Sequence, residues 1–160
     1  VLYVTDGRSA TRRASDLALS NLVLIDLALD YAQASRIAIA VAEQATPAAA
    51  QAATALLQAA GLQVSRFADV PGLAVMRTVA MLANEAADAV NQGVCSAAAA
   101  DAAMKLGVNY PQGPLAWADA LGVATVRTVL AHLGEAYGED RYRISPLLQQ
   151  AHYSGRKIHG

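Results

Sequence analysis

The sequence predicts an α/β unit followed by an all-α unit, and two observations support this fold class. Over residues 1–69, short apolar runs alternate with two longer helical segments, as in a sheet covered by helices. After Asp69 the short runs stop, and apolar residues recur every three or four positions, which is the period of a helix buried on one side. We therefore predict domains at residues 1–69 and 70–160.

Four runs in the first domain are strand candidates: VLYV at 1–4, LVLIDL at 22–27, RIAIAV at 36–41 and LQVSRF at 62–67. The first three are nearly continuous in apolar residues, as expected for strands of a parallel sheet covered on both faces. Between them lie TDGRSATRRASDLALS, a turn leading into a helix, and PAAAQAATALLQAAG, a helix with Pro47 near its start and Gly61 as its stop. The predicted order is β, α, β, β, α, β.

The second domain is predicted to hold five helices. The first follows Pro71 and Gly72, and its residues divide into a buried stripe (Val75, Val79, Leu82, Ala86 and Val90) and an opposite polar side (Arg77, Asn84, Asp88 and Asn91). Ser96 is the predicted cap of the second helix, which ends at Gly107.

The remaining three helices follow the loop NYPQGP. The third begins at LAWADAL and ends at Gly122. The fourth is VATVRTVLAHLGEAYG, with Val126, Val129, Leu130, Leu133 and Tyr137 predicted to face inward. Ser145 and Pro146 are predicted to cap and open the fifth.

Composition narrows the function classes. Twelve basic and thirteen acidic residues give a net charge of −1 with no long basic run, which argues against a nucleic-acid partner. Hydrophobic residues make up 55% of the chain, so we expect a partner to cover part of the surface, as in an oligomer. The longest uncharged stretch, 44–65, contains Pro47, Gly61 and four glutamines, which excludes a membrane helix.

The cysteine count and the chain ends give two further expectations. A single cysteine, Cys95, cannot form an internal disulfide, which indicates a reducing, cytoplasmic location. The chain opens on VLYV without a methionine and stops at SGRKIHG. We expect both ends to have been cut from a longer polypeptide.

The second domain resembles the C-terminal domain of the 3-hydroxyacyl-CoA dehydrogenase family. The resemblance rests on five segments in the right order: DVPGLAVMR (69–77), NEA (84–86), DAAMKLGVNYPQGPLAWADALG (101–122), YGEDRYRISPLL (137–148) and GRK (155–157). Residues 1–68 resemble the reduced Rossmann-like unit of the long, two-copy members. The resemblance implies a small parallel sheet plus a helical bundle, forming the C-terminal part of a longer chain.

The resemblance also implies a chemistry for the parent enzyme. Family members move a hydride between NAD and C3 of an acyl-CoA, as in fatty acid β-oxidation; short substrates such as 3-hydroxybutyryl-CoA or 3-hydroxyadipyl-CoA are expected here. A histidine acts as base, a glutamate orients it, and serine and asparagine hold the substrate oxygens. The asparagine belongs to a PG-x-x-x-N-R pattern, which here reads PGLAVMR, so Met76 stands at its position.

A thioether cannot donate a hydrogen bond, so Met76 cannot polarise a carbonyl group as an amide would. Two interpretations of Met76 stay open: it fills a gap in the core, or it lines an altered pocket that still holds an acyl chain. Met76, Arg77 and Asn84 are therefore candidate substrate-binding residues without catalytic function. For Arg77, a polar network with Asn84 and Asp88 and a solvated helix face are both possible.

The cofactor side is also incomplete in this sequence. Dinucleotide binding needs a G-x-G-x-x-G turn, whereas VTDGRSAT has one glycine, Gly7, and Asp6 places a negative charge where a phosphate would bind. Asp26, at the end of the second strand, could mimic the ribose-binding acid. The sequence thus predicts no cofactor-binding residue in this segment, and NAD is assigned to the parent enzyme.

No metal site is predicted either. The three histidines, at 132, 152 and 159, are not paired with a cysteine or an acid at metal-ligand spacing, and Cys95 has no neighbouring base. We therefore predict that the segment alone is inactive. Our hypothesis is a degenerate second copy that serves assembly, as a homodimer and with an upstream catalytic copy. The alternative is a non-catalytic acyl-CoA-binding or regulatory module of the same enzyme.

Overall fold

The computed structural model describes residues 1–159, and the chain divides into two compact units, Val1–Met76 and Arg77–Gly160. The first unit is α/β and the second is helical, which confirms the predicted fold class. The division falls inside a helix that starts at Val75. Each unit is described by itself below.

The first unit contains the six elements in the predicted order. They are β1 (Leu2–Val4), α1 (Ala10–Asp16), β2 (Val23–Ile25), β3 (Arg36–Val41), α2 (Pro47–Ala59) and β4 (Gln63–Arg66). The strands form one sheet in the order β1, β2, β3, β4. Two hydroxyl groups cap the helices as expected of N-cap residues: Ser9 accepts from the N–H of Arg12, and Thr46 accepts from the N–H of Ala49.

The sheet is mixed, which corrects the prediction of a parallel sheet. β1 pairs with β2 in parallel and β3 with β4 in parallel, but β2 and β3 are antiparallel. The reason is the connection between β2 and β3, which contains no helix. A parallel pair needs a crossover of a dozen or more residues, whereas adjacent strands joined by a short link run antiparallel.

The two faces of the sheet carry separate apolar cores. On one face, Ala10 and Ala14 of α1 pack against Leu22, Leu24 and Ala40. On the other face, Leu57 of α2 packs against Val23, Ile37 and Ile39. This double coverage explains the nearly continuous apolar strands, because successive side chains point to opposite faces and both faces are buried.

The helical unit has the five predicted helices: α3 (Val75–Asn91), α4 (Ala97–Val108), α5 (Pro114–Leu121), α6 (Val123–Tyr137) and α7 (Pro146–Ser154). A short 3-10 turn, Asp140–Tyr142, precedes α7. Ser96 caps α4 as predicted. That helix continues past Gly107, the predicted stop, and ends where Asn109 adopts a left-handed φ of 57°.

The buried face of α3 differs from the prediction. The buried residues are Met76, Val79, Ala80, Ala83, Asn84 and Ala87, whereas Val75 is 38% exposed. Leu82, Ala86 and Val90 are only half-buried. The prediction failed because Asn84 was assigned to the polar side. Its amide has partners on a loop about 60 residues further along the chain, so it can be buried without losing hydrogen bonds.

The predicted core of α6 is confirmed. Val126, Val129, Leu130 and Leu133 are fully buried. Tyr137 is half-buried and stacks on Tyr142 of the 3-10 turn, with ring centroids 5.3 Å apart. None of the helices in residues 1–159 is both long enough and apolar enough to cross a membrane.

Candidate functional site

The turn between β1 and α1 is where a dinucleotide-binding unit would hold the phosphates. Here Asp6 accepts hydrogen bonds from the Arg8 backbone N–H at 3.2 Å and from Arg8 Nε at 3.1 Å. The Arg8 guanidinium also reaches Asp16 at 2.9 Å, and Arg13 lies 3.5 Å from Asp6. The two arginines nearest the turn are therefore paired with carboxylates of the chain itself.

These contacts set the ionisation of the turn. Burial raises the pKa of Asp6, but hydrogen bonds from Arg8 and the charge of Arg13 outweigh it, so the pKa lies below its usual 3.8. The hydrogen bond that the Arg8 guanidinium donates to Asp6 raises the pKa of Arg8. Asp6 is thus ionised at neutral pH, and an incoming phosphate would meet its negative charge.

The start of α1 carries a second carboxylate. Asp69, which follows β4 in the chain, accepts from the N–H groups of Ala10 at 2.6 Å and Thr11 at 2.8 Å. In a dinucleotide-binding unit the first N–H groups of this helix face the pyrophosphate. The residues present do not fit that cofactor: the turn has one glycine, and a carboxylate of the chain already binds these N–H groups.

Asp26, which from its position in the sequence could mimic a ribose-binding acid, makes structural contacts. Its carboxylate is 1% exposed and accepts from four backbone N–H groups, those of Leu27, Ala74, Val75 and Met76, at 2.8–3.0 Å. The N–H groups of Ala74, Val75 and Met76 lie at the start of α3, which begins at Val75. Asp26 therefore fixes the start of the helix that carries Met76.

Met76 itself is a core residue by its exposure. Its side chain is 2% exposed, and its backbone N–H binds Asp26 Oδ1 at 3.0 Å. It does not line the cavity that includes its neighbour Val75. These facts favour the core-packing interpretation of Met76 over that of a pocket-lining residue.

Arg77 and Asn84 lie in the helical unit, and the structure gives them different partners. Arg77 Nη1 donates to the hydroxyl of Tyr137 at 3.0 Å. Asn84 binds the segment before α7: its Nδ2 donates to Arg143 O at 2.8 Å, and its Oδ1 accepts from Ser145 N at 2.8 Å. Asp88 pairs with the Arg143 guanidinium at 2.6 Å. Asn84 and Asp88 thus share a partner that Arg77 does not. Substrate contact by Arg77 or Asn84 stays a prediction.

The other candidate groups do not assemble into a reactive site. His159 Nε2 lies 3.5 Å from Asp101, whose carboxylate also accepts from the N–H groups of Leu115 and Ala116. His152 lies against the ring of Tyr153. Within residues 1–159 no three histidine, cysteine or acidic side chains are grouped so as to hold a metal ion.

Sequence reasoning missed that Asp26, Asp69 and Asp101 each bind the first N–H groups of a helix. A signal was present, since Asp69 and Asp101 each begin a segment on which the family resemblance rests. The second segment contains both Asp101 and Gly113, and these two residues meet. A Cβ added to Gly113 would lie 2.1 Å from Asp101 Cγ, so that motif has a packing reason.

Comparison with known protein families agrees with this architecture. Residues 2–71 match the 3-hydroxybutyryl-CoA dehydrogenase reduced Rossmann-fold domain, and residues 72–158 match the 3-hydroxyacyl-CoA dehydrogenase C-terminal domain. The chain therefore carries a reduced Rossmann-fold domain followed by a dehydrogenase C-terminal domain. It belongs to the 3-hydroxyacyl-CoA dehydrogenase family.

Individual relatives agree with the family assignment. The chain is 41% identical over 150 residues to 3-hydroxyadipyl-CoA dehydrogenase of Escherichia coli K12, covering 94% of this chain and 30% of that protein. It is 42% identical over 92 residues to a probable 3-hydroxybutyryl-CoA dehydrogenase of Deinococcus radiodurans, covering 56% of this chain and 33% of that protein. The chain thus spans about a third of the length of these relatives.

A solved structure shows the same fold at high similarity. The crystal structure of 3-hydroxybutyryl-CoA dehydrogenase from Escherichia coli K12 superimposes with a TM-score of 0.89 at 42% identity. The match covers 96% of this chain and 32% of that one. Both units of this chain therefore have counterparts in one longer enzyme.

Proposed function

We propose that this chain is part of an NAD-dependent 3-hydroxyacyl-CoA dehydrogenase acting on short substrates of the 3-hydroxybutyryl-CoA or 3-hydroxyadipyl-CoA class. Within that enzyme it is a degenerate second copy whose function is assembly. The similarity to 3-hydroxyadipyl-CoA and 3-hydroxybutyryl-CoA dehydrogenases supports the first statement. The contacts of this chain's own residues support the second.

The substrate side lacks the group that would polarise a carbonyl. Met76 stands where the family pattern has asparagine, and its side chain is 2% exposed. A buried thioether neither donates a hydrogen bond nor reaches a substrate oxygen. Asn84, the nearest amide along α3, has both ends of its side chain bound to the segment before α7.

Carboxylates of the chain itself lie where a dinucleotide-binding unit would hold its cofactor. Asp69 binds the first N–H groups of α1, Asp6 pairs with Arg8, and Asp26 binds the start of α3. A pyrophosphate would have to displace one carboxylate and approach another, and both carry charge of its own sign. The segment therefore supplies no NAD site.

The observation that carries the assembly function is the outer face of α4. Four alanines and Leu106 form a continuous exposed stripe along this helix, at Ala98, Ala99, Ala102, Ala103 and Leu106. Leu106 is 88% exposed, and Val94 and Val108, beside the two ends of the helix, are 72% and 53% exposed. Small residues allow a second helix to approach closely, and an apolar stripe of this length favours a protein partner. We assign this face to contact with a second copy of the chain.

The assembly proposal is tested by the mass of the chain in solution. Sedimentation equilibrium across a concentration series is expected to show a dimer for the wild type and a monomer for Leu106→Glu. A matched control is Leu56→Glu, which changes a leucine that is 62% exposed on α2 of the other unit, and it is expected to stay dimeric. A monomeric wild type, or a dimer that Leu106→Glu leaves intact, contradicts the proposal.

The catalytic part is tested separately, by hydride transfer from NADH to acetoacetyl-CoA followed by absorbance. We expect no turnover by this chain, and none by Met76→Asn, because that variant restores one substrate contact and no cofactor site. Titration with NAD is expected to give no heat. Turnover by the wild-type chain would overturn the degenerate-copy proposal while leaving the assembly result unaffected.

A second candidate function is an acyl-CoA-binding module without turnover. The observation in its favour is a cavity of about 330 Å³ after β2, which includes Val75, the residue before Met76. Its apolar lining includes Ala28, Leu29 and Ile37. Saturable binding of acetoacetyl-CoA without reduction would support this function, and an absence of heat on titration would exclude it.

A further inference from the structure

The α/β unit contains a second strand-helix-strand crossover that the dehydrogenase assignment leaves unused. β3 and β4 are parallel and are connected through α2. Because β2 and β3 are antiparallel, the carboxyl ends of β3 and β4 lie at one end of the strands, and the carboxyl ends of β1 and β2 lie at the other. The first of these ends is called the second edge below. Ligands of open α/β sheets bind outside the carboxyl ends of parallel strands.

A cavity lies at this second edge. Its volume is about 400 Å³, within the range of small-molecule sites. The apolar part of the lining includes Ile39 and Val41 of β3 and Ala50 and Ala55 of α2. The polar part includes Thr54, Gln51, Gln58 and Arg66. The lining contains no acidic residue.

Arg66 is the one cation in this lining, and its position follows from the strand period. Val64 and Arg66 are two residues apart on β4, so their side chains point to the same face of the sheet, and Val64 packs in the core beneath α2. Arg66 pairs in register with Ile39, whose side chain also lines the cavity. Within residues 1–159 the Arg66 guanidinium has no carboxylate or hydrogen-bond partner, whereas Arg8, Arg12, Arg13 and Arg143 are all paired with acids.

The lining selects a class of ligand. A guanidinium binds carboxylate and phosphate oxygens with the same parallel N–H donors, so charge distinguishes the two ligands. The single positive charge of Arg66 balances a carboxylate but leaves a phosphate dianion with an unbalanced negative charge. The amides of Gln51 and Gln58 can donate further hydrogen bonds, while the Thr54 hydroxyl already donates to Ala50 O at 2.9 Å. The aliphatic lining from Ile39, Val41 and the two alanines suits an apolar tail.

We propose that the cavity between α2 and the carboxyl ends of β3 and β4 binds a small aliphatic carboxylate, with Arg66 holding the carboxylate and Ile39 and Val41 contacting the tail. This site is separate from the α4 face and from the turn after β1. It requires neither the assembly function nor any residual dehydrogenase chemistry. Its test can therefore fail without affecting either.

The test is an NMR titration of the whole isotope-labelled chain with hexanoate, with hexanol and inorganic phosphate as comparison probes. With hexanoate at millimolar concentrations, we expect saturable shifts in the amide signals of α2, β3 and β4. From the same titrations, we expect the affinity for hexanol and for phosphate to be at least about tenfold weaker than that for hexanoate. Binding of phosphate as tight as that of hexanoate would overturn the assignment of the ligand class. An absence of saturable shifts would overturn the site.

Three variants locate the binding. Arg66→Gln is expected to weaken hexanoate binding about tenfold, since it removes the charged donors. Ala55→Leu, on the exposed side of α2, is expected to fill the cavity and abolish binding. Arg12→Gln removes a guanidinium from α1 on the opposite face of the sheet and is expected to leave the affinity unchanged. Equal affinity in Arg66→Gln and wild type contradicts the proposal.

Discussion

Both compact units begin helices with polar side chains that come from distant parts of the chain, but they use these side chains in different settings. In the α/β unit, Asp26 and Asp69 bind helix starts at the edge of the sheet where a dinucleotide-binding unit would hold its cofactor. In the helical unit, Asp101 and Asn84 bind the segments that open α5 and α7. The same device fixes helix starts beside the sheet in one unit and joins helices in the other.

Under the proposed function, the end of the sheet that binds a cofactor in a working copy has become structural here without a change of fold. The N–H groups at a helix start need an acceptor, whether it is a phosphate or a carboxylate. Asp69 supplies that acceptor from within the chain. The following predictions test how strongly each unit depends on its internal acceptors.

The largest effect is expected from Asp26→Ala. This change leaves three N–H groups at the start of α3 without an acceptor: the buried one of Met76 and the partly buried ones of Ala74 and Val75. A buried N–H group without a partner costs about 1–3 kcal/mol. We expect a loss of at least about 3 kcal/mol in the free energy of unfolding, measured by urea denaturation. Asp30→Ala, on an exposed turn, is the control and is expected to cost less than about 1 kcal/mol. Similar losses for the two variants would contradict a special function of Asp26.

In the helical unit the corresponding test is Gly113→Ala. The φ of Gly113 is −74°, which any residue adopts, so backbone strain does not enter. The added Cβ would lie 2.1 Å from Asp101 Cγ and displace the carboxylate that binds the start of α5. We expect a loss of about 2 kcal/mol or more in the free energy of unfolding.

Gly107→Ala is the matched control for Gly113→Ala. No atom lies within 4 Å of a Cβ added at Gly107, and the residue lies inside α4. Alanine is the better helix former, so this variant is expected to stabilise the chain by up to about 1 kcal/mol. If both glycine variants were neutral, close packing against Asp101 would not be what requires a glycine at 113.

The parts of the fold that could be predicted from the sequence are those that depend on contacts between residues close together in the chain. Strands and helix ends were predicted because apolar runs, prolines and capping serines signal them within a few residues, as at Ser96 and Pro47. The antiparallel pair was missed, although its signal, the short link between β2 and β3, is in the sequence. The burial of Asn84 depends on Arg143 and Ser145, and helical periodicity carries no information about such distant partners.

The same limit applies to the candidate site. The missing glycines and Met76 could be identified because a spacing pattern specifies them. The family segments that begin at Asp69 and Asp101 were a signal for these two acids, but they did not identify the partners, since Asp69 lies 58 and 59 residues from its two N–H groups. The sequence shows that a position carries a carboxylate, but it does not show which backbone N–H groups the fold places beside that carboxylate. Asp26 was identified as a candidate on its position after β2, but with a ligand-binding function in place of the observed structural one.

The pH dependence of stability tests the turn after β1. The folded pKa of Asp6 lies below its usual value, because bonds from Arg8 and the charge of Arg13 outweigh burial. The stabilisation by Asp6 is therefore complete above its unfolded pKa and is lost as the pH falls through the folded value. We expect wild type to exceed Asp6→Asn in stability by up to about 1 kcal/mol at pH 7, with the difference vanishing in acid. A difference that persisted at pH 2 would show that Asp6 acts through packing instead.

The smallest effect is expected from Ser145→Ala. This variant tests whether a serine that the sequence predicts as a helix cap acts as one in the structure. Ser145 precedes Pro146 at the start of α7, where a serine cap is usually worth about 0.5–2 kcal/mol. Here its hydroxyl makes no capping bond and is buried without a partner, and its backbone N–H is held by Asn84 instead. Alanine is therefore expected to change the free energy of unfolding by less than about 0.5 kcal/mol. Ser96→Ala is the control, since the Ser96 hydroxyl accepts from Ala99 N at 3.2 Å, and we expect it to cost about 1 kcal/mol. If urea denaturation gave equal losses of unfolding free energy for the two variants, the Ser145 hydroxyl would be hydrogen-bonded in solution. Asn84 would then not be the only side chain that stabilises the start of α7.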